Sequence, residues 1–560
     1  MKRTFKKTVL AVAVTSVFGL SSCSDNEKQS AIDTPITKST SGVITGFGSV
    51  FINGVEYETD DASFVIDGVE GGEELLKLGM VVSLSGSASD NGTGTAVSIE
   101  FDDDIEGVVI STSLTPDGTG LLNIMGVEVT IDEDTVFESK SDNVLTISDI
   151  VAGNIVEVSG HSSGDGKVWA TRIEVKSDAK EEGKEMEVEG TISNIDETAT
   201  TFVLGTLTVN YADAELKLNK DITSLANNLF VEVKSTEGIV DGILIASKIE
   251  LENDGKKPLF HDDNDEAVEL EGVITNVVSS TEIEVNGHTV ILSESTDYVH
   301  GSAEIAAVGM KIKIKGDVNT DGQLLANKVI FKPSGDLRLA GKISATDIDA
   351  NTVTIFGKAI TLSNSTLVKD DRDDDDLAAG ENNVKYKFGV DDLAVGDWIK
   401  VKAYTNKDGG LTATKMIRKS VEEGQLEKLE GKLSLDATTS TFFISGIVLD
   451  LSSLTEVTPV DGEKVELKGN FENGIFTASE GEAKEKDEHY IPGNDADEGD
   501  PENKDKEKEN NEQGEDDGKE NDDVEEDDDD TEDDDSEDDD GENDDSSVNE
   551  SDDTSNNSAP

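Results

Sequence analysis

Six segments of the sequence begin a run of alternating apolar residues at a glycine, and this repetition constrains the fold more than any other feature. They read SGVITG, EGVVIS, EGTISN, EGVITN, AGKISA and EGKLSL, with the glycines at Gly42, Gly107, Gly190, Gly272, Gly341 and Gly431. Successive glycines are 65, 83, 82, 69 and 90 residues apart. This spacing is too irregular for a solenoid and fits small tandem domains.

Each copy repeats the same order of strand and turn signals. The second strand ends in a turn glycine, at Gly54, Gly126, Gly205, Gly287, Gly357 and Gly446. Asn-Gly at 53–54 and 286–287 is a strong hairpin signal, because both central residues of that turn need positive φ. Fourth strands such as MKIKIKG alternate with period two, and a polar loop leads to the fifth. Asn228 replaces the glycine before the third copy's fourth strand, which predicts a looser or differently built turn.

Five short strands per copy, without a long amphipathic helix, predict an all-β chain of about six small barrels. We expect OB-like or SH3-like geometry, with two packed sheets as the alternative. Aromatic residues are only 4% of the chain, so Val, Ile and Leu must fill the cores. The predicted β-domains span residues 41–104, 105–178, 187–253, 269–334, 337–420 and 428–480.

The amino terminus has the features of a secretory signal, residues 1–22, followed by a spacer, residues 23–40. A basic start and a short apolar run precede Leu-Ser-Ser-Cys at 20–23, which resembles a bacterial lipobox. The resemblance implies that Cys23 carries lipid and anchors the protein in the cell envelope; an ordinary cleaved signal is the alternative. Lipoproteins that are retained in the inner membrane of enteric bacteria have aspartate directly after the cysteine, whereas this chain has Ser24. The resemblance therefore favours the outer membrane and leaves open which face of it the protein occupies. Cys23 is the single cysteine, which excludes disulfides and thiolate metal sites.

The carboxyl-terminal segment differs from the rest of the chain in composition and charge. Residues 481–560 contain 39 acidic and 6 basic residues, a net charge of −33. Such a segment cannot bury enough apolar surface to offset the entropy of ordering, so we expect a disordered acidic tail. The whole chain has a net charge of −76, which leaves −43 on the rest. This charge argues against nucleic acid as a partner.

The order of turn glycines and alternating strands between Gly42 and Ser479 resembles an uncharacterised β-rich bacterial domain family, domain of unknown function family 5666. That family recurs in tandem in secreted proteins and lipoproteins. The resemblance implies a fold and a location. It supplies no activity and no reactive residues.

One loop contains the sequence pattern that begins an EF-hand calcium-binding loop. GDVNTDGQ contains D-x-N-x-D-G from Asp317 to Gly322. An EF-hand loop also needs a bidentate carboxylate at its twelfth position, where this chain has Lys328, and flanking helices, where strands are predicted. We therefore interpret Asp321-Gly322 as a hairpin turn. Partial calcium coordination by Asp317, Asn319 and Asp321 stays open as the alternative.

Other candidates for chemistry are dispersed. The acidic runs Asp370–Asp376 and His261–Glu266 lack fixed ligand spacing and favour solvated loops that bind calcium weakly at most. No motif of nucleophilic catalysis, zinc binding or nucleotide binding is present, and Trp169 and Trp398 fit packing better than sugar stacking. The histidines fall in different copies or loops, at positions 161, 261, 288, 300 and 489. The sequence therefore predicts no catalytic residue, no specific metal site and no cofactor.

Two functional hypotheses follow. The first is a non-catalytic, lipid-anchored envelope protein whose tandem domains bind a protein or glycan partner or act structurally, with weak divalent-cation binding as an accompanying option. The second is an envelope enzyme or enzyme accessory with a site between adjacent copies. The first is preferred because turn residues recur across the copies and no reactive side chain does.

Overall fold

A computed structural model describes residues 36–89, 91–163, 166–252, 267–372, 389–422, 424–454 and 459–484. All of them belong to one structural unit, residues 1–498. The secondary structure of these ranges consists of β-strands and short 3-10 helices. No helix of this described part is long and apolar enough to cross a membrane.

The strands of the first three copies follow the predicted order. Copy 1 contains β1 (Ile36–Gly46), β2 (Val50–Ile52), β3 (Val55–Glu58), β4 (Ser63–Ile66), β5 (Val69–Gly71), a 3-10 helix (Glu73–Leu75), β6 (Val81–Ala88) and β7 (Thr93–Phe101). Copy 2 contains β8 (Ile105–Leu114), β9 (Gly120–Ile124), β10 (Val127–Ile131), β11 (Val136–Ser139), a 3-10 helix (Ile147–Asp149), β12 (Ile155–Ser162) and β13 (Lys167–Ser177). Copy 3 contains β14 (Met186–Asp196), β15 (Thr201–Leu204), β16 (Leu207–Asn210), β17 (Glu215–Lys217), β18 (Phe230–Ser235), β19 (Gly238–Val240), β20 (Ile243–Ile245) and β21 (Lys248–Leu251).

The last three copies repeat this order. Copy 4 contains β22 (Val268–Ser279), β23 (Glu282–Val285), β24 (His288–Ile291), β25 (Asp297–Val299), a 3-10 helix (Ala303–Ile305), β26 (Lys311–Val318) and β27 (Leu324–Phe331). Copy 5 contains β28 (Leu337–Lys342), β29 (Ala345–Asp347), β30 (Thr352–Ile355), β31 (Lys358–Thr361), β32 (Leu367–Asp371), a 3-10 helix (Val390–Asp392), β33 (Trp398–Thr405) and β34 (Leu411–Lys419). Copy 6 contains β35 (Glu427–Asp436), β36 (Thr441–Ile444), β37 (Ile447–Asp450), β38 (Lys464–Glu472) and β39 (Ile475–Ala483).

Hydrogen bonding closes each copy into a barrel. In copy 4, β22 pairs with β23, β23 with β24, β24 with β27, β27 with β26, and β26 again with β22. The short β25 pairs only with β27 and is left out of the count. The order of the other five strands is thus first, second, third, fifth, fourth and first, and the third and fifth run parallel. This is the order of the OB fold, which confirms the predicted barrel and resolves the choice between geometries. Copy 6 closes in the same order.

The repeated glycine of the first strand makes room for the hairpin turn. A Cβ on Gly272 would lie 2.4 Å from the side chain of Asn286, which has φ of 51° in the turn. The Asn286 side chain accepts a hydrogen bond from the Val273 N–H and donates one to the Glu271 carbonyl. In copy 2, Met125 occupies the turn position at φ 49° and lies against Gly107. The glycine therefore recurs because the turn side chain packs across the first strand.

The turn before the fourth strand is the same in the third copy as elsewhere, contrary to the prediction. Asn228 has φ of 71°, close to the 90° of Gly309 in copy 4. Its N–H donates to the Ile192 carbonyl at 2.8 Å, as that of Gly309 does to Ile274 at 2.9 Å. Asparagine tolerates this left-handed conformation, so the turn keeps its geometry. The irregularity lies instead in the fifth strand, which is split into β20 and β21.

The first strands also join the copies in pairs. β1 pairs in parallel with β22, at Ser39↔Val268 to Ser41↔Leu270, so copy 1 joins copy 4. β8 pairs with β14, and β28 with β35, both antiparallel, which joins copy 2 to copy 3 and copy 5 to copy 6. The cores of copies 2 and 3 merge into one apolar cluster, as do those of copies 5 and 6, whereas copies 1 and 4 keep separate cores. Contacts between copies are therefore not confined to sequence neighbours.

Two segment boundaries differ from the prediction. β1 begins at Ile36, inside the segment predicted to be a flexible spacer, because residues 36–43 pair with β6 and residues 39–41 also pair with β22. β39 continues to Ala483, inside the predicted tail, because its last residues pair with β38. The signal segment, Cys23 and residues 485–560 lie outside the described residues.

Candidate functional site

The D-x-N-x-D-G segment forms the turn between β26 and β27, as predicted. The side-chain oxygen of Asn319 accepts hydrogen bonds from the N–H groups of Asp321 and Gln323, each at 2.9 Å. Gly322 has φ of 79°, and the Asp317 carboxylate accepts a hydrogen bond from Asn327 at 2.7 Å. The side-chain oxygen of Asn319 and one carboxylate oxygen of Asp317 therefore already accept hydrogen bonds within the hairpin.

The acidic runs and the aromatic residues fall into separate environments. Within Asp370–Asp376, Asp370 pairs with Arg372 at 2.7 Å and Asp371 pairs with Lys369 and Lys419, while residues 373–376 lie outside the described part. Trp398 is buried and Trp169 is half-buried. His261–Glu266 and His489 are outside the described residues as well.

The other histidines do not converge. His161 is buried between copies 2 and 4, with its Nδ1 3.5 Å from Asn286 Nδ2. His288 is half-buried in β24. The His300 ring lies edge-on to that of Tyr404, with centroids 5.9 Å apart. Burial, together with the charge of Lys407, lowers the pKa of His300.

A cluster of carboxylates that the sequence did not indicate lies where copy 1 leads into copy 2. Ligand oxygens of Asp103, Glu106 and Glu157 all lie within 4.8 Å of one another, the one group of this kind in the described ranges. Asp103 follows the last strand of copy 1, and Glu106 and Glu157 lie opposite each other on β8 and β12. Glu106 also lies opposite Glu187 of copy 3, on β14. Strand register therefore places like charges side by side, which is destabilising unless they are compensated.

Three lysines compensate part of this charge. Lys176 forms ion pairs with Glu157 and, at 3.5 Å, with Glu106. Lys184 pairs with Glu106 at 3.1 Å. Lys234 of copy 3 lies between Glu187 and Glu232, with both of which it forms ion pairs. These five carboxylates thus face three ammonium groups, and the charge of Asp67 in copy 1 adds to the negative side.

The remaining negative charge perturbs the acidity of the cluster. Burial, reinforced by the charges of Glu187 and Glu157, raises the pKa of Asp103 well above its usual range. Burial also raises the pKa of Glu232 to about 8, and the neighbouring Glu187 charge adds to this rise. For Glu187 burial acts in the same direction, but hydrogen bonds with Lys234 and Asp103 outweigh it and lower the pKa. The cluster therefore holds protons that an exposed set of carboxylates would lose.

This proton retention predicts how stability depends on pH. The folded-state pKa of Glu232, about 8, lies above the unfolded value, so the folded chain binds more protons between about pH 4.5 and 8. The free energy of unfolding should therefore fall as the pH rises from 5 to 8, by roughly 1–3 kcal/mol in total. Urea unfolding at both pH values measures this. The Glu232→Gln variant should show a flatter profile, and a wild-type stability that rises over this range would contradict the assignment.

A second set of charges links copies 2, 4 and 5. Asp134, in the turn after β10, contacts Lys311 of copy 4 at 3.1 Å and Lys402 of copy 5 at 2.8 Å. Burial alone would raise the pKa of Asp134, but these lysines hold it well below its usual range. The adjacent Glu133 binds Arg338 of copy 5, whose Nε donates at 2.8 Å. These side chains join copies that are far apart in sequence.

A third set links copies 1 and 4. Glu269, on β22, contacts Lys38 of copy 1 at 2.8 Å and its own neighbours Lys313 and Lys315 at 3.5 and 3.2 Å. Its side chain is 2% exposed. Lys313 also donates to the Asn53 carbonyl of copy 1 at 2.7 Å. Charge pairing and strand pairing therefore coincide at this joint.

One sequence signal could have located part of these joints. Glutamate directly precedes the repeated first-strand glycine in four copies, at Glu106, Glu189, Glu271 and Glu430. Glu271 is buried and pairs with Lys332, and Glu430 is buried and pairs with Arg338 of the neighbouring copy. Comparison of the repeats thus marks the glutamates. It does not mark their cationic partners.

Five of the six copies resemble a known domain family. The model of the family described as domain of unknown function DUF5666 matches residues 40–100, 106–174, 189–250, 271–330 and 340–416, more than half of the chain. A solved structure titled Drosophila Unr CSD456 matches at 12% identity and a TM-score of 0.15, over 39% of this chain and 97% of that one. No curated protein matches the sequence. The family model does not extend to copy 6, although that copy closes in the same strand order. The chain therefore belongs to the DUF5666 family, of which it carries five matched tandem copies.

Proposed function

We propose that the protein is a non-catalytic, lipid-anchored component of a bacterial cell envelope, in which the tandem barrels act as a structural or binding module. A lipid on Cys23 would hold it on the membrane. Its partner would be a protein or a glycan of the envelope, and nucleic acid is disfavoured by the net charge of −76.

The observation that carries this proposal is the pairing of charged side chains across the joints between copies. Glu269 pairs with Lys38 across copies 1 and 4, and Asp134 pairs with Lys311 and Lys402 across three copies. These side chains neutralise one another and bind copies together. Charged groups that pair between copies are suited to hold these copies in a fixed arrangement and leave their outer surface to a partner.

The anchor is supported by the sequence alone. Leu20 to Cys23 fits a lipobox behind a short apolar run. Two or three acyl chains bind a membrane stably, at about 0.8 kcal/mol per buried methylene, whereas a single chain does not. Delivery to the outer membrane is part of the same proposal.

Lipid attachment can be tested in cells that make the full chain. Cells are grown with an alkyne analogue of palmitate, and the protein is examined for label and for its share in the membrane fraction. We expect label on the wild type, and loss of both label and membrane association in the Cys23→Ala variant. Ser24→Ala is the matched control and should keep both. A wild type without label, or a Cys23→Ala variant that keeps it, would refute the anchor.

The enzyme hypothesis is the second candidate, and the carboxylate cluster between copies 1, 2 and 3 is what favours it. Asp103 and Glu157 are buried, however, so a substrate could reach them only if the copies separated. The test is complementation of a strain that lacks the protein and has a measurable envelope defect. Glu157→Gln and Cys23→Ala are compared. The scaffold proposal predicts that only Cys23→Ala fails, whereas failure of a stably folded Glu157→Gln variant would favour an enzyme.

A further inference from the structure

We propose that Asp103, Glu106 and Glu157 form a binding site for a hard divalent cation, calcium, at the joint of the first three copies. The three carboxylates come from the connection between copies 1 and 2, from β8 and from β12, and their ligand oxygens lie within 4.8 Å of one another. Such spacing allows one ion to contact all three, since calcium binds oxygen at about 2.3–2.6 Å.

Asp103 supplies the observation that points to a ligand. Its side chain is only 6% exposed and forms a hydrogen bond with Glu187. Its Oδ1 is nevertheless fully buried with no hydrogen-bond partner. An unsatisfied buried acceptor costs about 1–3 kcal/mol, so native proteins rarely keep one without a reason. A cation between Asp103, Glu106 and Glu157 would provide the missing partner.

The charge balance of the cluster favours an added cation. Two further carboxylates, those of Glu187 and Glu232 in copy 3, continue the cluster across the joint. Lys176, Lys184 and Lys234 balance only three of these five carboxylates. A divalent ion would supply two further positive charges and would share Glu106 and Glu157 with Lys176.

The ligand set favours calcium over other metals. Carboxylate oxygens are the ligands of hard cations, and no sulfur or imidazole belongs to the group. Calcium accepts irregular arrangements of oxygens, whereas magnesium requires near-octahedral geometry and retains its water. The D-x-N-x-D-G turn, by contrast, uses its Asp317 and Asn319 oxygens within the hairpin.

Cation binding would tighten one joint. Glu106 lies opposite Glu187 of copy 3 in the pairing of β8 with β14. Asp103 follows the last strand of copy 1. An ion at this position would remove the repulsion between three copies at once. The calcium site does not depend on lipid attachment or on the scaffold role. The calcium proposal can therefore fail while the proposed function holds, and the reverse.

The test is thermal unfolding of the full chain in chelator and in excess calcium. At a concentration about 100-fold above the dissociation constant, the wild-type midpoint should rise by roughly 5 °C. Asp103→Asn should lose this rise and should melt in chelator close to the wild-type midpoint, because asparagine has the size of aspartate and adds no charge to the cluster. The matched control is Asp321→Asn in the hairpin turn, which should keep the full rise. Weak calcium binding by the acidic tail is the same in all variants and cancels in this comparison.

Glu106→Gln provides a second, less buried substitution if Asp103→Asn does not fold, and it should also lose the rise. The proposal is overturned if calcium leaves the wild-type midpoint unchanged, or if the folded ligand variants keep the rise. A rise lost in Asp321→Asn alone would move the site to the turn and equally overturn it. Magnesium at the same concentration should give a smaller rise, and an equal one would overturn the assignment to calcium.

Discussion

Replacing Glu269 by alanine is expected to destabilise the protein by about 3 kcal/mol, because it leaves a cluster of lysines at the joint of copies 1 and 4 without their anion. The Glu269 side chain is 2% exposed and contacts Lys38, Lys313 and Lys315. Burial alone would raise its pKa, but these lysines lower it, so the group is an anion at neutral pH. The loss should appear in urea unfolding at pH 7.

Two comparisons isolate the joint from general damage. Glu304→Ala, at an exposed position in the same copy, should change stability by less than about 0.5 kcal/mol. Lys38→Met combined with Glu269→Ala should cost less than the sum of the two single substitutions, because the pair is in direct contact. Strict additivity would mean that copies 1 and 4 do not meet at these residues.

Arg172→Met is expected to cost about 3–5 kcal/mol, since it removes a buried cation from two carboxylates. Arg172 is 1% exposed; its guanidinium contacts Glu174 at 2.7 Å and Glu138 at 2.6 Å and donates to the Leu78 carbonyl of copy 1 at 3.3 Å. Burial alone would raise the pKa of Glu174, but hydrogen bonds from Lys140 and Arg172 lower it to about 2. The substitution leaves Glu174 largely buried with a single, exposed lysine as partner.

The effect of Arg172→Met has a defined pH dependence. A carboxylate whose pKa is depressed on folding contributes stability above its unfolded pKa and loses it as the pH falls through the folded value. The difference between wild type and variant should therefore be full at pH 7 and shrink from about pH 4.5 towards 2. Unfolding at pH 7 and pH 3 measures it. The double variant Arg172→Met with Glu174→Gln should recover much of the loss at pH 7, and no recovery would contradict the pairing.

The strands and turns of each barrel were predictable because they are local properties. Alternation marked the fourth strands, and the pairs Asn53-Gly54 and Asn286-Gly287 marked hairpins, where both residues have positive φ in the structure. Gly272 was visible as a repeat. The reason for the repeated glycine was not visible, because Asn286, which packs across the first strand at Gly272, lies fourteen positions away in the sequence.

The joints were not predictable, because they depend on register between distant segments. Lys38 and Glu269 are separated by 231 residues, and each is one charge among many in a highly charged chain. The carboxylate cluster arises because strand pairing places Glu106 between Glu157 and Glu187. A single sequence gives no signal for which free strand edge meets which, so the pairing of copy 1 with copy 4 could not be inferred.

The first strand of copy 1 adds to that of copy 4, and an engineered disulfide between these two strands tests the joint. Ser39 and Val268 lie opposite each other on β1 and β22, and both accept cysteine with little change in size. In a Cys23→Ser background the variant has only these two thiols. Mild oxidation of the folded protein should link them, giving faster migration on a non-reducing gel. Ser39 paired with cysteine at Met186, the matching position in copy 3, should stay reduced. If the Ser39 and Val268 thiols both remain free in the folded protein, or if the control pair links equally well, copies 1 and 4 are not joined as described.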